Sequence, residues 1–167
     1  MPAARCVAQL PIPGVDGRST EALVAAGGYG YAHSCVTSEV FPVRASATPS
    51  RDVVLLEFDG DVRADVAVAA AARLGFDRPA YEDALVFGAA WPDAQREAPI
   101  VFLHDPWLGY FGRLDVLCLW ANAGRRELGL EGFESTWRPG YRFAFVRAAG
   151  SYAVRRDETP AAAGSGT

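Results

Sequence analysis

The chain has no lysine; all sixteen of its basic residues are arginine. That absence removes Schiff-base chemistry, a phosphate-loop lysine and a lysine general base. Histidine is scarce, with two in 167 residues, and there are only three cysteines. Cys6, Cys35 and Cys118 are odd in number and widely spaced, so they do not read as a disulfide framework. Long apolar runs are missing. The longest, Val66 to Ala72, falls far short of the roughly 20 residues a membrane helix needs, and no membrane insertion is expected. No apolar stretch follows Arg5 to form a secretory signal, so a cytoplasmic protein is expected. Positive charge is not in excess. The formal net charge of −4 argues against phosphate-driven binding of nucleic acid.

What remains is the profile of a soluble globular domain, 50% hydrophobic and 22% charged, with enough chain for one sizeable core. Residues 1–50 read as an irregular segment packed on that core, because Pro11, Pro13, Gly14 and Gly17 break its start. Within it, Ser19-Thr20-Glu21 caps a short helix to Ala26, and Tyr29 to Val43 reads as one or two strands. Val53 to Phe58 is an apolar strand. Asp61 is the expected N-cap of a helix from Val62 to Leu74, ended by Gly75. Pro79 opens a second helix to about Ala90, and Ile100 to Leu103 is a strand. Residues 114–120 and 141–147 read as further strands. Residues 151–167 read as a disordered tail. Two helices followed by a run of strands predict an α+β fold with a mostly antiparallel sheet.

Catalytic signals are thin. Glu57-Phe58-Asp59-Gly60-Asp61 has the shape of a phosphatase aspartate loop but carries Glu57 at the nucleophile position; a turn and a helix cap explain it better. His33 and Cys35 alternate on one strand, and His104 and Cys118 could join them, but metal ligands usually come in closely spaced pairs from turns. No metal or cofactor is expected. His104-Asp105 follows a strand and is the best enzymatic candidate, a small hydrolase or isomerase, yet adjacent strand side chains point oppositely. A regulatory or immunity-type interaction protein, working through residues 1–50, is the other alternative.

The last third carries the clearest pattern. Arg126-Glu127-Leu128-Gly129-Leu130 is followed after six residues by Trp137, and after four more by Arg142-Phe143-Ala144-Phe145-Val146-Arg147. Alternation places Leu128 and Leu130 on one face, and Glu127, Gly129 and Glu131 on the other. Trp137 is large enough to anchor the segment by burial. The polar residues between the anchors share no chemistry, which points to binding and not to catalysis.

This spacing, over about residues 79–147, resembles the C-terminal region of variable proteins of diversity-generating retroelements, which have a C-type-lectin-like fold. The resemblance implies a lectin-like domain over residues 51–150 and a framework of Leu128, Leu130, Trp137, Arg142, Phe143 and Val146. It implies a diversified ligand surface among Trp120, Asn122, Glu127, Gly129, Glu131, Glu134, Ser135, Thr136, Arg138, Gly140 and Tyr141. The expected activity is non-catalytic binding of a protein or other macromolecule by loops of residues 121–141.

Overall fold

A computed structural model of the chain describes residues 1–44 and 49–148. The expected tail, 151–167, lies outside the described residues. In chain order the elements are β1 (Ala4–Ile12), α1 (Thr20–Gly27), β2 (Tyr31–Ala32), β3 (Arg51–Phe58), β4 (Val62–Arg63), α2 (Ala64–Arg73), α3 (Tyr81–Ala90) and α4 (Ala94–Glu97). They continue with β5 (Ile100–Phe102), β6 (Trp107–Leu108), β7 (Leu114–Asn122), β8 (Arg125–Gly132), β9 (Thr136–Trp137) and β10 (Arg142–Ala148). The fold is α+β. One open sheet runs in the order β1-β3-β10-β5-β7-β8-β2, with β6 added to β7. It is mostly antiparallel; β10–β5 and β8–β2 are the parallel pairs.

The central strands carry unbroken apolar runs at 53–56, 100–102, 116–119 and 143–146 because both faces of the sheet are covered there. Val53, Leu55, Ala144, Phe102 and Leu117 pack on one face with Leu23 of α1 and Ala84 to Phe87 of α3. Val54, Leu56, Phe143, Phe145 and Val101 pack on the other with Ala64, Ala67 and Ala71 of α2. Trp137 also lies on this second face, 3% exposed and edge-on to Phe143 with ring centroids 5.5 Å apart.

Four expectations need correction. Residues 1–12 are not irregular: β1 pairs with β3 from Ala4↔Phe58 to Ile12↔Arg51. As an edge strand it tolerates Pro11 at its end. Tyr29 to Val43 is strand only at Tyr31–Ala32; beyond that, local bonds such as Val36 N–H to the His33 carbonyl turn the chain. Asp61 is not a helix cap. Val62 and Arg63 pair with Trp137 and Thr136, and the helix starts at Ala64. Residues 121–141 are not mainly loop, because β8 pairs with β7 from Gly132↔Asp115 to Arg125↔Asn122.

A buried guanidinium ties this sheet to three helices. Arg126 is 6% exposed and has no carboxylate within ion-pair distance among the described residues. It donates to the carbonyls of Gly27 and Gly88, the latter at 2.8 Å, and to Gln95 Oε1 at 2.9 Å. The two carbonyls belong to the last turns of α1 and α3, where the helix dipole favours positive charge. The guanidinium also stacks 4.8 Å from the Tyr29 ring centroid. Gln95 passes the connection on, donating to the carbonyls of Trp120 at 2.6 Å and Glu127 at 3.1 Å. Gly88 is required here, since a Cβ would fall 1.7 Å from the Tyr29 hydroxyl. Arg126→Met should therefore cost about 3 kcal/mol or more, because it orphans several buried acceptors. Arg126→Lys should not restore the loss, since an ammonium lacks the planar fork. Equilibrium urea unfolding of both variants checks this; a loss under about 1 kcal/mol would contradict it.

Candidate functional site

The β7–β8 hairpin brings four of the expected site residues onto one strand face. Its turn, Ala123-Gly124, has φ of 50° and 80°, as a two-residue connection matched to strand twist requires. The register sets Trp120 opposite Glu127, Cys118 opposite Gly129 and Val116 opposite Glu131. Leu128 and Arg126 point inward, so Glu127, Gly129 and Glu131 point away from the helices α1 and α3. Trp120 is 40% exposed, and its Nε1 lies 3.6 Å from where a Gly129 Cβ would be. The indole thus lies across Gly129 on a face whose buried cluster ends at Cys118, with Tyr141 half-buried at its border. Burial raises the Glu131 carboxyl, and it raises the Tyr141 phenol, which has Glu131 and Cys118 beside it.

The remaining expected residues are spread more widely. Asn122 is exposed at the hairpin turn. Glu134, Thr136 and Arg138 are exposed along the segment that runs from β8 through β9 to β10, and Ser135 is half-buried there. Gly140 has φ of 108°, a conformation that L side chains adopt only with strain. It suits a fixed glycine and not a position that varies.

His104 and Asp105 do not form a catalytic pair. His104 is 1% exposed; its Nε2 accepts the Leu117 N–H at 2.9 Å, so Nδ1 carries the proton and donates to the Asp105 carbonyl at 2.7 Å. The Asp105 carboxylate points to solvent and pairs with Arg78 at 3.0 Å. Glu57 is equally committed, to Arg5 at 2.9 Å and Arg142 at 3.0 Å, and these bonds hold its carboxyl below the usual range. Asp59 accepts the Ala3 N–H at 2.7 Å. His33 Nδ1 accepts the Cys35 N–H at 3.1 Å. No group of three or more His, Cys, Asp or Glu among the described residues is arranged to hold a metal ion. No helix among them is long and apolar enough to cross a membrane.

Sequence reasoning missed a second feature, at the β6–β7 hairpin. Leu108, Tyr110 and Phe111 are 63%, 76% and 100% exposed beside a pocket of about 360 Å³. The sequence signal was the aromatic pair bracketed by Gly109 and Gly112, a turn that presents two rings to solvent. A third depression, near Arg44, Arg51 and Arg78, offers no free cation: these pair with Glu82, Asp83 and Asp105.

The buried imidazole sets a pH dependence. Burial pushes His104 down to about 4, whereas the unfolded chain titrates near 6.5. Above 6.5 the ring is neutral in both states and contributes nothing. Between 6.5 and about 4 only the unfolded chain takes up the proton, so stability falls, by about 3 kcal/mol in all. His104→Gln should lose less stability than the native protein across this window, whatever its cost at neutral pH. Denaturant unfolding at a series of pH values measures it, and equal pH slopes would contradict the assignment.

Comparison with protein-family models, curated proteins and solved structures gives no match.

Proposed function

We propose that this protein is a non-catalytic binding protein that takes a protein or other macromolecular ligand on the open face of β7–β8 and the adjoining 133–141 segment. The observation that carries this reading is Trp120. A large aromatic lies half in solvent across Gly129, on a rigid strand, with Glu127 and Glu131 beside it. Such an anchor offers wide contact area at small entropic cost. The face is broad and not enclosed, which suits a macromolecule better than a metabolite.

The resemblance to lectin-like variable proteins enters here as a proposal. It is supported by the division of the segment: Leu128, Trp137, Phe143 and Val146 are buried, while Trp120, Asn122, Glu134, Thr136 and Arg138 reach solvent. Gly140 belongs with the framework in this reading, on account of its backbone angle.

A photo-crosslinking residue at position 120 should capture a discrete partner from source-cell extract, whereas the same residue at exposed Arg73 on α2 should not. Trp120→Ala should abolish competition for that partner while changing stability by no more than about 1 kcal/mol. Equal capture at 73 and 120, or none at 120, would count against this surface.

A further inference from the structure

The β6–β7 hairpin presents a knob and a hole side by side. Cross-strand pairs Trp107↔Asp115 and Leu108↔Leu114 build its base. The tip is closed by Gly109 N–H to the Arg113 carbonyl at 2.9 Å and Gly112 N–H to the Gly109 carbonyl at 3.0 Å. Gly112 has φ of 75° there. The turn is therefore ordered by its own bonds, yet it carries Phe111 wholly in solvent and Tyr110 largely so. Contiguous exposed apolar surface on a fixed turn points to an interaction site, where a single exposed side chain does not.

The hole lies directly beside them. Trp107, Leu130, Cys35 and Asp115 line it below Tyr110 and Phe111, and its volume of about 360 Å³ is enough for an aromatic side chain. Trp107 is wedged between Phe41 and Tyr110, with ring centroids 5.6 and 5.7 Å away, so the apolar wall is firm. One polar group in the wall is unfinished. Asp115 is 6% exposed, and its Oδ1 has no hydrogen bond. Arg113 Nε approaches that oxygen to 2.6 Å but without hydrogen-bond geometry, from a side chain that is itself mostly in solvent. This oxygen is closed off from solvent, so an incoming donor reaches it when the exposed Arg113 side chain swings aside, and the carboxylate then gains a hydrogen bond.

The pocket thus calls for an aromatic ring with an adjoining O–H or N–H donor. The tip of the same hairpin offers this chemistry: the Phe111 ring, and the Tyr110 ring with its phenolic hydroxyl. We propose that a second copy of this chain is the occupant. In this dimer the Tyr110–Phe111 tip of each copy enters the other's pocket about a two-fold axis, and a Tyr110 hydroxyl donates to Asp115 of the partner. A two-fold contact needs one patch complementary to itself, and a knob beside its own hole meets that condition. This surface is separate from the Trp120 face, so either assignment can fail without the other.

Sedimentation velocity of the full chain over rising concentration tests the dimer. The native protein should pass from monomer to dimer. Phe111→Ser removes the knob from a fully exposed position and should weaken dimerisation at least about tenfold, without altering melting at concentrations where the native chain is monomeric. The hole is blocked separately by alkylating Cys35 with a bulky maleimide in a Cys6→Ser background; Cys118 is buried with its thiol pushed up, and stays unreactive. The blocked chain should also be monomeric. Mixed together, the Phe111→Ser chain supplies an open hole and the blocked chain supplies a knob. One of the two reciprocal contacts then returns, and a heterodimer should form that neither chain forms with itself. A native chain that stays monomeric, a dimer that survives Phe111→Ser, or a mixture that stays monomeric would each overturn the proposal.

Discussion

The buried Arg126 guanidinium is the constraint on which this architecture depends. A cation removed from water without a carboxylate beside it is costly unless its donors find acceptors. Here the two terminal nitrogens find the closing carbonyls of two helices and an amide oxygen on a third, while the buried Nε has no hydrogen-bond partner among the described residues. The arrangement works only if α1, α3, α4 and β8 all sit in one relation to each other. The same contact calls for the glycine at 88, and it works against the burial that pushes the Tyr29 phenol up to about 12.

This constraint also decides which face of the hairpin is free. With Arg126, Leu128 and Leu130 committed to the helices, alternation sends Glu127, Gly129 and Glu131 to the opposite side. On that side α2 and Trp137 complete the second cluster over β3, β10 and β5, and the cluster reaches only as far as Cys118 and Tyr141. Trp120 is left to lie across Gly129, half in water. Framework and candidate surface are thus the two faces of one strand, but the outer face is only partly in solvent: Glu131 is half-buried and the Glu127 side chain is 14% exposed, contrary to the expectation of freely solvated positions.

The strands at 53–58, 100–103, 114–120 and 142–147 were legible because burial on both faces leaves a short apolar run at the heart of each, broken only near the ends by Glu57, Asp115, Arg142 and Arg147. Trp137 was legible as an anchor because of its size. β8 was harder to read. Only every second residue of Arg125–Gly132 faces the core, and the glycine and glutamates between them look like loop. β1 escaped notice because it is an edge strand, bulged between Cys6 and Ala8 and ending near a proline. Asp61 has every local mark of a helix cap, yet the pairing of Val62 with Trp137 takes precedence. The role of Arg126 was out of reach, since its acceptors come from residues 27, 88 and 95, far away in sequence. Among the site residues, Glu127, Gly129 and Glu131 share a face as alternation implied, Trp120 joins them through the β7–β8 register, which the sequence did not indicate, and Gly140 is held by its backbone.

The central claim is that the surface can be changed without disturbing the framework. Its most direct test is equilibrium unfolding of the chain with the exposed Asn122, Glu134, Thr136 and Arg138 all replaced by alanine, read against Trp137→Ala. The account predicts a cooperative transition near the native one for the fourfold variant, with each change worth within about half a kcal/mol. It predicts a loss of roughly 3–5 kcal/mol for Trp137→Ala. A fourfold variant that unfolds, or a Trp137→Ala protein as stable as the native chain, would contradict it.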